Sequence, residues 1–389
     1  MKNFLFAIVF FFFVSNAFAQ SFSNTGLDKL LTRAKETHSD AVVVMKGGKI
    51  VGEWYSTDKP EKIELMSCTK AIVGLIVGKL IDEGKIKSLD QSVSDFYPEW
   101  KQGQKKLITI KHLLNHTSGL QNVGNTSVEI YPSPDIVRLA LAAELSYAPG
   151  TRFSYNNKAV NLLAGIVEKA TGKRLDVYAN EEFFKPLVIT DFDWMKDKAG
   201  NPHAFAGLQL KATDFIKFGQ LVLNKGMWNG KQIVSQQWIN QSFAQSQPFE
   251  PTAGLLWFLE PTFTRYTIDD DKIKELEAAG FDKSVLEKLL PLKRKIFNNR
   301  AEYRNAITTA FGDNRQKILS QFVEKGYLPA RKILGEMEGY SANGTLGQYI
   351  VIYPKYNLVA VRQITWKKPY NEKTDSFEDF IELVRAIGE

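Results

Sequence analysis

The sequence predicts an α+β fold, an α/β sandwich. Its antiparallel sheet is built from N- and C-terminal segments, is flanked by helices and is interrupted by a large, mainly helical insertion. Three observations carry the prediction. Two β-rich runs, Ala41–Met45 and Lys49–Tyr55, flank Lys46-Gly47-Gly48, the pattern of a hairpin. Two further strand-like runs, Gly347–Pro354 and Asn357–Ile364, stand near the other end of the chain. Between them, from Ser67 to about Gly226, the apolar spacing is mainly helical. Strands at both ends with helices between them favour one sheet into which the helical region is inserted.

Taken in order, the chain begins with Lys2, an apolar run from Phe4 to Val14, and Ser15-Asn16-Ala17-Phe18-Ala19. This is the pattern of a signal peptide, residues 1–19, cleaved after Ala19, and the run is too short to span a bilayer. The mature domain, residues 20–389, is therefore expected to be exported, periplasmic or secreted, without stable membrane insertion. Leu27, Leu30 and Leu31 place a helix over Gly26–Thr37. The sheet region covers about residues 25–65 and 337–389. The helical region covers about 66–260, with loops at Pro98, Asn115–Asn125 and Pro149-Gly150. Residues 261–336 stand apart, rich in Lys, Glu and Asp. Their helical pieces are Asp271–Ala278, Lys283–Leu290, Arg300–Ala310 and Asn314–Lys325. Leu286, Leu289, Leu290 and Ile296 give this insertion apolar positions, which argues against disorder. It reads either as a solvated excursion or as a cap over a cleft between sheet and helices, where sites usually lie. An amphipathic helix over Ser376–Ile387 follows the last strand.

Composition narrows the function classes. The 389 residues are 44% hydrophobic and 24% charged, an ordinary globular balance, and the net charge of +7 favours weak attraction to anionic surfaces. No basic run interleaved with aromatics suggests nucleic acid. Cys68 is the single cysteine, so no intramolecular disulfide forms; it reads as a small packing residue. The four histidines are scattered, His38 and His203 have no acidic partner at useful spacing, and no metal site is expected. Oligomeric state is not legible.

Three motifs carry chemistry. Ser67-Cys68-Thr69-Lys70 opens an apolar helical run, so a hydroxyl and an amine three residues apart share one helix face. This is the S-x-x-K pattern of serine acyl transfer. Ser56-Thr57-Asp58-Lys59 also matches, but lies before Pro60 with no apolar helix behind it, and reads as a turn. The second motif is Tyr155-Asn156-Asn157 after the Pro149-Gly150 turn. There a phenol held near an ammonium is pushed toward phenolate and can move a proton, while Asn157 can hold a substrate amide. Tyr178-Ala179-Asn180 and Tyr303-Arg304-Asn305 share the spacing and read as surface or packing residues. The third motif is Asn343-Gly344-Thr345 ahead of Gly347. Its glycines let a strand edge approach a ligand and supply an oxyanion N–H, with Thr345 as the expected donor.

Together these residues resemble the serine β-lactamase and penicillin-binding superfamily, most closely its class C β-lactamase-like hydrolase branch. The resemblance also rests on His112-Leu113-Leu114-Asn115-His116-Thr117-Ser118-Gly119-Leu120, on Pro149-Gly150-Thr151-Arg152-Phe153-Ser154-Tyr155 and on Asp214-Phe215-Ile216-Lys217-Phe218-Gly219-Gln220-Leu221. It implies a β-lactamase/transpeptidase-like fold, acylation of Ser67, proton handling by Lys70 and Tyr155, and an acyl contact from Asn157. It also implies a scaffold role for His116 and a substrate contact at Gln121, with no metal or organic cofactor. The chain departs from the family at the third motif, because Lys-Thr-Gly is absent and Asn343-Gly344-Thr345 stands there. Asn cannot reproduce a charge-assisted bond to a carboxylate. The expectation is therefore an exported esterase or amidase on a small-molecule or peptide-like substrate, in the manner of the family's 6-aminohexanoate-oligomer hydrolases. The alternatives are a peptidoglycan D-Ala peptidase, a true β-lactamase, or a catalytically silent peptide-binding relative.

Overall fold

The strands at the two chain ends are apolar at nearly every position, and such strands need a sheet covered on both faces. A computed structural model describes residues 24–366 and 369–389 of the chain. The expected signal peptide lies outside the described residues. Helix α1 (Asn24–Glu36) precedes the hairpin β1 (Ala41–Lys46) and β2 (Lys49–Tyr55). The helical region includes α2 (Thr69–Asp82), α3 (Asn157–Thr171) and α4 (Ala212–Leu223) and ends in β3 (Phe258–Pro261). The insertion carries α5 (Asp270–Ala278), α6 (Lys283–Leu289), α7 (Arg300–Phe311) and α8 (Arg315–Lys325). Strands β4 (Met337–Gly344), β5 (Gln348–Tyr353) and β6 (Leu358–Gln363) and helix α9 (Phe380–Gly388) complete the order. Among the described residues no helix is long and apolar enough to cross a membrane.

The strands form one six-stranded antiparallel sheet in the order β2-β1-β6-β5-β4-β3. Its register, with Val43 opposite Val361 and Val359 opposite Ile352, sends alternate residues to opposite faces. Val43, Ile350, Ile352, Val359 and Val361 join the core under α2, α3 and α4. Val42, Val44, Val351, Leu358 and Ala360 join a second core with Leu30 of α1 and Phe380 and Val384 of α9. Arg362, buried at the sheet centre, donates to the carbonyls of Thr37, Leu346, Gly347 and Asp375, so both chain ends and the β4–β5 turn converge on one guanidinium.

Three expectations need correction. Strand β3, from the end of the helical region, adds a sixth strand that its sequence Phe-Leu-Glu-Pro is too short to announce. The insertion also holds a small sheet of Thr264–Thr267, Ile296–Phe297 and Arg331–Leu334 beside its helices. It has its own core around Leu276, Phe281, Leu289, Phe311 and Phe322, whereas Leu290 and Ile296 are 48% and 57% exposed. Last, His38 does have an acidic partner: its Nδ1 lies 2.8 Å from Asp375, which the fold delivers from the far end of the chain.

Gly219 sets how closely α4 approaches the sheet, since a Cβ there would lie 2.3 Å from Val359 Cγ1 and 3.3 Å from Ile350 Cδ1. Helix propensity favours Ala over Gly by about 1 kcal/mol, and overpacking a core costs about 1–3 kcal/mol. The steric term wins. Gly219→Ala is expected to lower stability in urea unfolding; a gain would mean that α4 can lift without cost.

Candidate active site

Helix α2 is buried on nearly all sides, as an apolar run without a polar stripe must be. A single 3₁₀ turn, Met66–Cys68, leads into it, and Met66 has φ 48°, a left-handed conformation uncommon for a residue with a Cβ. The Cys68 thiol donates to the Ala342 carbonyl (3.2 Å) and is itself fully buried, which raises its pKa and leaves it a packing group. Gly344 completes the junction: a Cβ there would meet the Leu65 carbonyl at 2.7 Å. The turn that presents Ser67 is thus seated directly on β4.

One helical turn on, Lys70 is 2% exposed. Its Nζ lies 2.9 Å from Ser67 Oγ, donates to the Phe205 carbonyl at 2.7 Å, and sits 4.9 Å from the Tyr155 ring centroid. Among the described residues no carboxylate pairs with it. Burial therefore pushes the amine down to about 7.

Tyr155 reaches the same point from the other side. The Ser154 N–H donates to the His116 carbonyl (2.8 Å), the Asn156 N–H donates to His116 Nδ1 (3.2 Å), and Asn122 Nδ2 donates to the Tyr155 carbonyl (2.8 Å). The His116 ring lies 4.4 Å from the Tyr155 ring, and burial with Lys70 nearby pushes its pKa down to about 3. His116 is thus neutral and accepting, geometry that suits the scaffold role expected of it. The Tyr155 hydroxyl is hydrogen-bonded to Ser67, yet burial raises it to about 12. The expected phenolate is overturned: with the amine itself desolvated toward neutrality, no full positive charge draws the phenol proton off.

Ser67, Lys70, His116, Tyr155, Ala342, Asn343 and a wall from Ala253 to Phe258 enclose a pocket of about 10 Å³. The other expected contacts fall elsewhere. Gln121 lines a neighbouring cleft. Asn157 opens α3 outside the pocket lining, with its Oδ1 buried and unpartnered among the described residues. Gly344 packs against the Ser67 turn and Thr345 is exposed in the β4–β5 turn, so the strand meets the pocket at Ala342 and Asn343. The shift arises because the strand continues through Gly344 before turning.

A family model described as Beta-lactamase matches residues 27–379. The chain belongs to the beta-lactamase family. Protein flp of Staphylococcus aureus (strain COL) is 29% identical over 191 residues, covering 44% of this chain and 38% of that protein. The 6-aminohexanoate-dimer hydrolase of Paenarthrobacter ureafaciens is 26% identical over 242 residues, 57% of this chain and 61% of that one. The matches thus span 38% and 61% of these curated relatives, less than two thirds of either. The octameric penicillin-binding protein homologue from Pyrococcus abyssi superposes with a TM-score of 0.59 at 18% identity, covering 94% of this chain and 77% of that one, a likeness of fold.

Within this beta-lactamase-family site, several groups had no sequence signal. Phe205 acts through its carbonyl, which side-chain identity does not encode. Asn122 acts on the Tyr155 backbone from a loop of ordinary turn composition. The wall at Leu256 and Trp257 is an apolar run indistinguishable from core.

Because Lys70 titrates at about 7 when folded against 10.5 ordinarily, the unfolded chain holds a proton that the folded chain lacks between those values. Its contribution to stability is therefore lost as pH falls toward 7 and recovered as pH rises toward 10.5, a change on the order of a few kcal/mol. Relative to Lys70→Met, the wild type is expected to gain stability in urea as pH climbs through that window. A pH-independent difference would show an unperturbed lysine.

Proposed function

We propose that this protein is an exported serine hydrolase that cleaves an ester or amide through an acyl-enzyme on Ser67. The observation that carries the reading is the 2.9 Å contact between Ser67 Oγ and a lysine amine that burial holds near neutrality. Neutral Lys70 accepts the Ser67 proton as Oγ attacks the carbonyl carbon. The tetrahedral oxyanion is held by the backbone N–H groups of Ser67 and Asn343. Tyr155, protonated at rest, gives its proton to the leaving group as it takes one from Lys70, and water then releases the acyl group by the reverse relay. The reaction needs no cofactor in this scheme. Export is supported by the pattern of residues 1–19, which predicts a mature N-terminus at Gln20.

An ester or amide is favoured over a β-lactam because Lys70 is, among the described residues, the only lysine or arginine lining the pocket, and Ser67 and Phe205 occupy it. A β-lactam carries its carboxylate beside the scissile bond and would find no guanidinium or ammonium there. The substrate in the hydrolase relative's name, a 6-aminohexanoate dimer, is compatible with such a pocket.

A fluorophosphonate probe is expected to label the wild type at Ser67 and not Ser67→Ala, and Ser67→Ala should lose about a thousandfold or more in p-nitrophenyl butyrate hydrolysis. Unchanged turnover in that variant would sink the mechanism. Since the base must be deprotonated, kcat/KM should fall on the acid side of about 7, following Lys70. An acid limb near the ordinary lysine range would assign the proton to another group.

A further inference from the structure

The wall that closes the Ser67 pocket, from Ala253 to Phe258, is a loop up to the point where β3 begins. It forms a small closed lobe. Ala253 bridges Phe258, the Leu259 N–H donates to the Thr252 carbonyl at 2.8 Å, and the Gly254 N–H donates to the Trp257 carbonyl at 2.9 Å. Inside the lobe Leu256 has φ 62°, a left-handed conformation uncommon for a residue with a Cβ. Such a bend persists only where its surroundings hold it. The pocket encloses about 10 Å³, room for about one water molecule, so a small shift of this wall changes what fits beside Ser67.

The base of the lobe is Thr252, and a chain of polar contacts leads from it to the insertion. Glu250 Oε1 accepts from the Thr252 hydroxyl at 2.6 Å and from the Thr252 N–H at 3.2 Å. Glu250 is 6% exposed, and a carboxylate so far from water needs a counter-charge. Lys332, on the inserted strand Arg331–Leu334, supplies it: its Nζ donates to both carboxylate oxygens at 2.7 Å. Among the described residues this is the only ion pair between the insertion and the helical region.

We propose that Lys332 is a positioning residue that sets the acyl-size limit of the Ser67 pocket. It acts through Glu250 and Thr252 on the Ala253–Phe258 wall and does not touch the substrate. The consequence for substrates rests on the Ser67 hydrolase reading; the placement of the wall does not.

The test measures kcat/KM for p-nitrophenyl acetate and p-nitrophenyl hexanoate in the wild type and three variants. The wild type should favour the acetate. Lys332→Met leaves Glu250 buried without its cation and should shrink that preference about fivefold or more. Glu250→Gln keeps the shape, loses the charge and should shrink the preference in the same direction. Lys332→Arg offers the carboxylate two N–H donors and should keep it. A role in stability alone would lower both rates together through the folded fraction and leave their ratio unchanged. No acetate preference in the wild type, an unchanged ratio in Lys332→Met or Glu250→Gln, or an equal loss in Lys332→Arg would overturn the proposal. Amide hydrogen exchange reads the wall without a substrate. Residues 250–258 should exchange about tenfold faster in Lys332→Met and Glu250→Gln, with β5 and β6 unchanged, which also reports that the variants are folded. Equal protection of residues 250–258 in wild type and variants would overturn it as well. Faster exchange there, with no ester turnover by the wild type, sinks the hydrolase reading and leaves the placement of the wall intact.

Discussion

The desolvation of Lys70 is the constraint on which the site's chemistry depends. An ammonium removed from water without a carboxylate beside it is costly enough that the group gives up its proton instead. Every neighbour of Lys70 is consistent with this outcome. The Phe205 carbonyl accepts one N–H, the Ser67 hydroxyl stands within hydrogen-bond reach, and the Tyr155 ring covers the remaining side without bringing a charge. The same low-polarity surroundings hold the Tyr155 phenol and the His116 imidazole in their neutral forms. The phenol and the imidazole sit uncharged beside the amine, so the positive charge Lys70 takes on with the Ser67 proton has the developing oxyanion as its counterpart.

Such a site requires the nucleophile turn to be fixed on the sheet. Cys68 does this from the helix side through its bond to the Ala342 carbonyl, and Gly344 does it from the strand side by having no Cβ to collide with Leu65. Arg362 extends the constraint outward, since it holds the Leu346 and Gly347 carbonyls of the β4–β5 turn and the carbonyls of Thr37 and Asp375. The position of β4 beside Ser67 is therefore tied to both chain ends. This explains physically why the sheet is assembled from segments so distant in sequence.

What the sequence revealed follows from the range of the interactions involved. The Ser67 and Lys70 pair, the β1–β2 hairpin and the four inserted helices depend on neighbours within a few residues, and periodicity displays them. The partner of His38, the sixth strand and the Phe205 carbonyl depend on contacts made only after long-range closure, which no local pattern encodes. The third motif was legible in part, since Asn343 does line the pocket while Gly344 and Thr345 do not. Its glycines were legible, but strand β4 runs on through Gly344, so the residues at the pocket are Ala342 and Asn343. The phenolate expected at Tyr155 failed because nearness to a lysine was weighed without the burial that alters both groups.

Among the described residues the pocket lining brings no second lysine or arginine to Lys70. A carboxylate receptor against Ser67 would place a permanent positive charge next to Lys70 and lower the amine's pKa further through like-charge repulsion. Without one, Lys70 stands among neutral neighbours. The insertion carries its own core around Phe281, Phe311 and Phe322. It is held to the site through Arg152, which donates to the Lys325 carbonyl at 3.0 Å and stacks on Tyr327 at 4.6 Å. Arg152 precedes Tyr155 by three residues, so the segment that delivers the phenol to Ser67 also anchors α8.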